Sequence, residues 1–260
     1  VAVIEDEDDE EITPDAAAAE AAPTPAPAAP VAEAAPAPAP VAATGGPSGA
    51  DVADLPFTAS SAIVALLALS AKIRIDEVGA TDTTESLTNG VSSRRNQLLM
   101  DMSSELGLNS IDGAGEADVA TLSATVDKAA KGYKPFGPVL AEAVKERTRK
   151  LFGAAGVKAN RIAERVTGTW QLGAGWAQHV TAEIVLGTRE GASTRDGDLA
   201  TLPLDAPTNA AGVDALIDAA VAAVAAREGI AVSLPSAGGS AGGVVDSAAL
   251  DAYAASVTGE

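Results

Sequence analysis

Thr83-Thr84-Glu85-Ser86-Leu87-Thr88-Asn89-Gly90-Val91-Ser92-Ser93-Arg94-Arg95-Asn96-Gln97-Leu98-Leu99-Met100-Asp101-Met102-Ser103-Ser104-Glu105-Leu106-Gly107 combines a tight turn with an amphipathic helix. Leu98, Leu99, Met102 and Leu106 recur at steps of three and four residues, which puts them on one face of a helix. Gln97, Asp101, Ser104 and Glu105 fall largely on the other face. Gly107 is placed to end the helix in a left-handed cap. Gly90 gives the chain freedom to turn sharply just before the helix, so one serine hydroxyl, that of Ser92, is expected at an exposed helix N-terminus above an apolar bundle. Taken alone, such a serine reads as an ordinary N-cap.

Working outward, the pattern stays helical. Thr58 is expected to cap a first helix reaching about Lys72, apolar nearly all round through Ile63, Val64, Leu66, Leu67, Leu69 and Ile73, as a buried helix should be. A short turn at 84–87 precedes the Ser92 helix, and Val119, Leu122 and Val126 mark another helix near 116–131, completing a bundle of about four. Helices are then predicted over 138–152, 159–172 and 176–186. In the first of these, Val139, Leu140, Val144 and Leu151 face a core while Lys145, Glu146, Arg147, Arg149 and Lys150 face outward. Trp170, Trp176, Tyr133 and Phe136 read as core anchors of this second helical group. Residues 188–207 read as loop, 209–227 as helix, 230–234 as a short strand, 235–243 as a Gly/Ser linker and 245–257 as a last helix. The fold class is all-α.

From Thr83 to Gly107 the sequence resembles the acyl carrier domain of type I fatty acid synthases, most closely the mycobacterial, corynebacterial and fungal ones. The resemblance rests on the Thr83–Leu87 lead-in, the Asn89-Gly90-Val91-Ser92 turn, and Asn96, Leu98-Leu99 and Asp101 at fixed offsets. It implies a four-helix carrier bundle extended by a second helical subdomain, and a 4'-phosphopantetheine arm, derived from coenzyme A, on Ser92, with Ser93 as the nearby rival. Val91 stands where many carriers have Asp. Arg94 and Arg95 stand where free-standing bacterial carriers are commonly acidic, and they are candidates for steadying the anionic arm or docking acidic partners. The implied partners are a phosphopantetheinyl transferase and the synthase's ketosynthase, ketoreductase, dehydratase, enoyl reductase and acyl or malonyl transferase domains. The carrier supplies only an accessible hydroxyl to a magnesium-assisted transfer, so on this reading the chain alone catalyses no turnover. The implied organisation is a linker over 1–56, a carrier core over 57–132, a structural subdomain over 133–190 and a connecting segment over 191–260. The alternatives are a structural helical segment for megasynthase assembly, a polyketide synthase carrier, or a hydrolase using a serine with His179.

Composition narrows the chemistry. The 260 residues include no Cys and one His, which removes thiolate metal sites, disulfides and catalytic cysteine. His179 has no Gly-x-Ser-x-Gly elbow to serve and reads as a packing or surface residue. The net charge of −19 is concentrated at the front: residues 1–50 hold ten acidic side chains and no Lys or Arg. Such a balance disfavours nucleic acid and anionic membrane as partners. No apolar stretch reaches a membrane span and no signal-peptide layout is present, and a cysteine-free chain suits the cytoplasm.

The front of the chain reads as a spacer. Glu5 to Glu11 is an acidic block, and residues 16–44 are almost entirely Ala and Pro, as in Ala35-Pro36-Ala37-Pro38-Ala39-Pro40. Proline removes donors and biases its neighbour toward extended backbone, so a disordered, semi-rigid tether is expected, suited to a swinging domain. Val1 in the place of Met, together with this linker, reads as part of a longer polypeptide.

Overall fold

The computed structural model of the protein describes residues 49–235; the Ala/Pro tether, the Gly/Ser linker and the helix expected over 245–257 lie outside the described residues. Among the described residues the fold is all-α. Eight α-helices follow one another: α1 (Ala59–Ala71), α2 (Thr84–Leu87), α3 (Ser92–Leu106), α4 (Val119–Ala129), α5 (Pro138–Phe152), α6 (Arg161–Glu164), α7 (Ala174–Gly187) and α8 (Ala210–Glu228). Residues 230–234 form no regular strand, in contrast to the reading of the sequence. None of these helices is long and apolar enough to cross a membrane.

The centre of the first group is α1. The Thr58 hydroxyl accepts from the Ser61 N–H at its start, and Lys72 ends it in the left-handed region. Between these caps Ala62, Ile63, Leu66, Leu67 and Ala68 are all buried, because α3, α4 and α7 surround the helix. An all-round apolar sequence is what a helix with three neighbours requires. Leu98, Met102 and Leu106 of α3 and Val119, Leu122 and Val126 of α4 close the same cluster, with Leu99 half-buried at its edge.

The second cluster is built by α5, α6, α7 and α8, with Trp170 and Trp176 buried in it as expected. Tyr133 and Phe136 pack instead on the first cluster, and the Phe136 ring lies 5.2 Å from that of Phe57. The sequence places them in the second group because they follow the carrier core in the chain, but the chain crosses back over α3 before α5 begins. Helix α5 serves both clusters, giving Leu140 to the first and Leu151 and Phe152 to the second. Burying each of these side chains contributes about 1.5–3 kcal/mol, so sliding α5 would weaken both cores together. Helix α7 is shared in the same way, through Ala182 and Leu186 on one side and Trp176, Val180 and Ile184 on the other.

The end of the segment read as linker and the helix expected over 209–227 in the connecting segment are both part of this packing. Residues 49–56 lie against the second group: the Gly175 N–H donates to Asp54 Oδ1 (3.0 Å), Trp176 Nε1 donates to the Ala53 carbonyl (3.1 Å), and Leu55 packs on the cluster. Helix α8 covers α7 with Val213, Leu216, Ile217, Ala220, Val221 and Val224, and all of these are buried. Charge pairs hold it in register. Arg161 meets Asp214 through two bonds of 2.6 and 2.7 Å, and Arg165 meets Asp218 through bonds of 2.7 and 3.0 Å. After α6 the chain widens into a π-helical turn, Arg165–Thr169, which delivers Trp170 Nε1 to Asp218 Oδ1 at 2.7 Å.

Candidate functional site

The turn ahead of α3 is built by two successive left-handed residues, Asn89 at φ 53° and Gly90 at φ 68°. Asparagine and glycine tolerate this region best, which is why the chain reverses here. The Gly90 N–H returns to the Glu85 carbonyl at 2.9 Å and closes α2. Upstream, the loop over 75–83 is tied down from a distant part of the chain. Arg195 donates to Asp82 Oδ1 (2.6 Å) and to the Glu77 carbonyl, and Ser193 donates to Glu77 Oε2 (2.6 Å). Residues 193–195 are thus a strap across the lead-in to Ser92, although sequence shows them only as Gly/Thr/Asp loop.

This strap is expected to make the loop sensitive to acid. The Arg195 hydrogen bond, helped by the Gly79 N–H, holds the Asp82 carboxyl below its ordinary value despite partial burial. A depressed carboxyl contributes stability that is complete above its unfolded pKa, about 3.9, and lost as pH falls through the lower folded value. Asp82→Asn is therefore expected to be less stable than the parent at pH 7, with the gap closing below about pH 4. Urea midpoints at both pH values check it, and a gap that persists in acid would assign the loss to packing.

Helix α3 begins at Ser92, and its N-cap is Val91, which offers no side-chain acceptor. Ser92 is therefore not the capping residue that a lone serine suggests. It is exposed, and among the described residues nothing engages its hydroxyl. The Arg95 N–H to Val91 carbonyl bond (3.0 Å) is the first of the helix, so the N–H groups of Ser92, Ser93 and Arg94 in its first turn have no intrahelical acceptor. No acidic residue stands in that turn, and Arg94 is exposed and Arg95 half-buried beside it. Two cations at the positive end of a helix dipole are unfavourable by themselves and become favourable around an anion. Ser93, one step further on, is also exposed.

Leu99 and Ser103 share the helical face of Ser92, and they border a groove of about 420 Å³ with Met100, Ile111 and Ala114. Leu99 lies about 10 Å along the axis from Ser92. Met100 is 66% exposed, so the groove carries apolar surface open to solvent.

Glu105 is where the sequence reading fails. Assigned by periodicity to the polar face, it is only 3% exposed. Its carboxylate accepts from the Tyr133 hydroxyl (2.7 Å) and from the N–H groups of Gly137 (2.6 Å), Val139 (3.1 Å) and Leu140 (2.8 Å). Glu105 thus caps α5 from inside α3, joining the Ser92 helix to the helix shared by both cores. Burial, and then the carboxylate itself, push the Tyr133 hydroxyl above its usual range. Gly137 is required by this approach, since a Cβ there would lie 2.0 Å from the Glu105 carbonyl oxygen. The one available signal was Gly137-Pro138: a proline at the first helical position after a glycine that offers no side-chain cap leaves the N-terminus to be capped from elsewhere.

His179 is buried, with its ring edge-on to Phe57 at 5.0 Å and its Nε2 3.4 Å from the Pro56 carbonyl. Burial holds its pKa below the ordinary value. It is a packing residue, and it makes no hydrogen bond to a serine hydroxyl among the described residues. No family model matches the chain, and neither does any curated protein.

Proposed function

We propose that the chain is an acyl carrier domain of a bacterial type I fatty acid synthase, holding acyl groups as thioesters on a 4'-phosphopantetheine arm at Ser92. The observation that carries this reading is the uncommitted, exposed Ser92 hydroxyl at the first position of α3, with an open turn of amides and two arginines around it. A phosphodiester at that oxygen would supply the negative charge the helix end lacks. The groove beside Leu99 and Met100 offers apolar surface to an acyl chain on the same helical face. The phosphopantetheinyl transferase and the synthase's transferase, ketosynthase, ketoreductase, dehydratase and enoyl reductase domains are the partners of this reading, in the cytoplasm, with Arg94 and Arg95 at the docking face. A hydrolase would need a serine hydroxyl hydrogen-bonded to His179; Ser60, Ser61 and Ser123 line the same cleft as that ring, but its Nε2 lies 3.4 Å from the Pro56 carbonyl and bonds to none of them.

Intact-mass spectrometry after incubation with coenzyme A, magnesium and a broad-specificity phosphopantetheinyl transferase tests the proposal. One added arm is expected on the parent and on Ser93→Ala, and none on Ser92→Ala. An arm that survives Ser92→Ala and disappears in Ser93→Ala moves the attachment by one residue. No arm on any variant, even with the synthase's own transferase, leaves the assembly-segment reading in its place.

A further inference from the structure

Among the guanidinium groups partly covered by the second helical group, Arg161, Arg165 and Arg227 each meet a carboxylate. Arg189, 8% exposed, spans the ends of two helices, donating to the carbonyls of Leu186 (2.8 Å), Ala68 (3.0 Å) and Ile73 (2.5 Å). A cation suits that place, because C-terminal carbonyls of α7 and α1 converge there. Arg147 has no such reason for its position. It is half-buried on α5 and makes neither a hydrogen bond nor an ion pair among the described residues.

Arg147 and Arg189 line one cleft of about 230 Å³, with Lys150, Glu146, Leu69 and Val185. The nearby carboxylates are mostly committed: Glu190 to Lys150 (3.1 Å), Glu183 to Arg227, and Glu77 to Arg74 (2.7 Å). Glu146, exposed beside the cleft, pairs with neither arginine. Burial, and next the charge of Arg147, push Arg189 down to about 10, so it stays protonated at neutral pH. Two like charges line one small cleft, and the burial of Arg189 makes their repulsion stronger than it would be in water.

We propose that this cleft is a binding site for a small, doubly charged oxyanion of the phosphate class, held by Arg147 with Arg189 beneath it. Leu69 and Val185 give an apolar wall to a short substituent on the anion. The depth of Arg189 favours a small group over the acidic surface of a protein partner. Guanidinium is suited to the task because its planar donors match tetrahedral oxyanions and stay charged. The site is separate from Ser92 and does not depend on what Ser92 carries.

Calorimetric titration of the full chain at constant ionic strength, with inorganic phosphate, butyl phosphate and chloride as probes, tests this site. One-to-one saturable binding of a phosphate probe is expected, with none for chloride. Arg147→Gln should weaken it about tenfold or more, since a charge-assisted contact is lost. Glu146→Gln should tighten it by removing a nearby negative charge. Arg147 bonds to nothing, so its variant should keep the parent's urea midpoint and report on binding alone. Butyl phosphate binding more tightly than phosphate assigns the site to a phosphate ester; the reverse order assigns it to the free anion. Absence of saturable binding, or an affinity unchanged in Arg147→Gln, overturns the proposal.

Discussion

Replacing Glu105 with alanine is expected to destabilise the folded chain by about 3–5 kcal/mol, among the largest losses a single side chain can cause here. The carboxylate satisfies three amides at the start of α5 and the Tyr133 hydroxyl, all in a place reached poorly by water. Each buried donor left without an acceptor costs about 1–3 kcal/mol, reduced where water or a small shift restores a partner. The helix dipole adds to the loss, because a negative charge leaves the positive end of a fifteen-residue helix. Glu105→Gln keeps one acceptor oxygen but turns an N–H₂ group toward the same donors, so an intermediate loss is expected. Urea unfolding monitored by circular dichroism measures both. Hydrogen exchange at the Val139 and Leu140 amides gives the local readout. If Glu105→Ala changes stability by less than about 1 kcal/mol, the carboxylate is not the cap of α5.

Arg227→Met is the second change with a large expected cost, about 3 kcal/mol. The Glu183 side chain is 4% exposed, and Arg227 on α8 is its ion-pair partner. The Thr201 hydroxyl is its other contact, at 3.2 Å. Removing the guanidinium leaves a charge that burial disfavours, and that penalty exceeds what the intact pair contributes. Methionine keeps most of the side-chain volume, so the loss reports on charge more than on packing. The double variant Arg227→Met with Glu183→Gln should recover part of the stability, because no buried charge then remains. A double variant that adds the two single losses would show that the pair is not coupled.

Most of the helical layout was legible from sequence for a simple reason. The residues that define α1, α3, α4 and α5 repeat at the helical period and carry local punctuation: Thr58 before α1, Gly107 after α3 and Pro138 at the start of α5. Such signals act within a few residues and need no partner to be read. The Asn89-Gly90 turn belongs with them, since its left-handed backbone follows from the two residue types. The candidate site was legible to the same extent. The exposed Ser92 position follows from the turn and the helix start, whereas its freedom from capping does not, because one residue of difference in the helix boundary decides it.

Glu105 and Arg147 mark the limit. Both stand at positions that periodicity assigns to solvent, yet Glu105 is buried under the start of α5 and Arg147 is half-buried beside Arg189. A helical wheel describes one helix, while burial depends on how many others surround it, and α3 has a second neighbour in α5. The strap from Ser193 to Arg195 is hidden for a related reason: its contacts to Glu77 and Asp82 span more than a hundred residues, and nothing local encodes them. Local backbone preference and periodic burial were enough for α1, α3, α4, α5 and the turn that presents Ser92, whereas the helix expected over 159–172 is cut short at Glu164 by the π-helical turn Arg165–Thr169. Long-range packing alone made two cores share α5 and α7, set Glu105 to cap a helix other than its own and brought Arg147 and Arg189 to one cleft. Those outcomes depend on long-range packing, where the surroundings of a charge are set by residues far away in the chain.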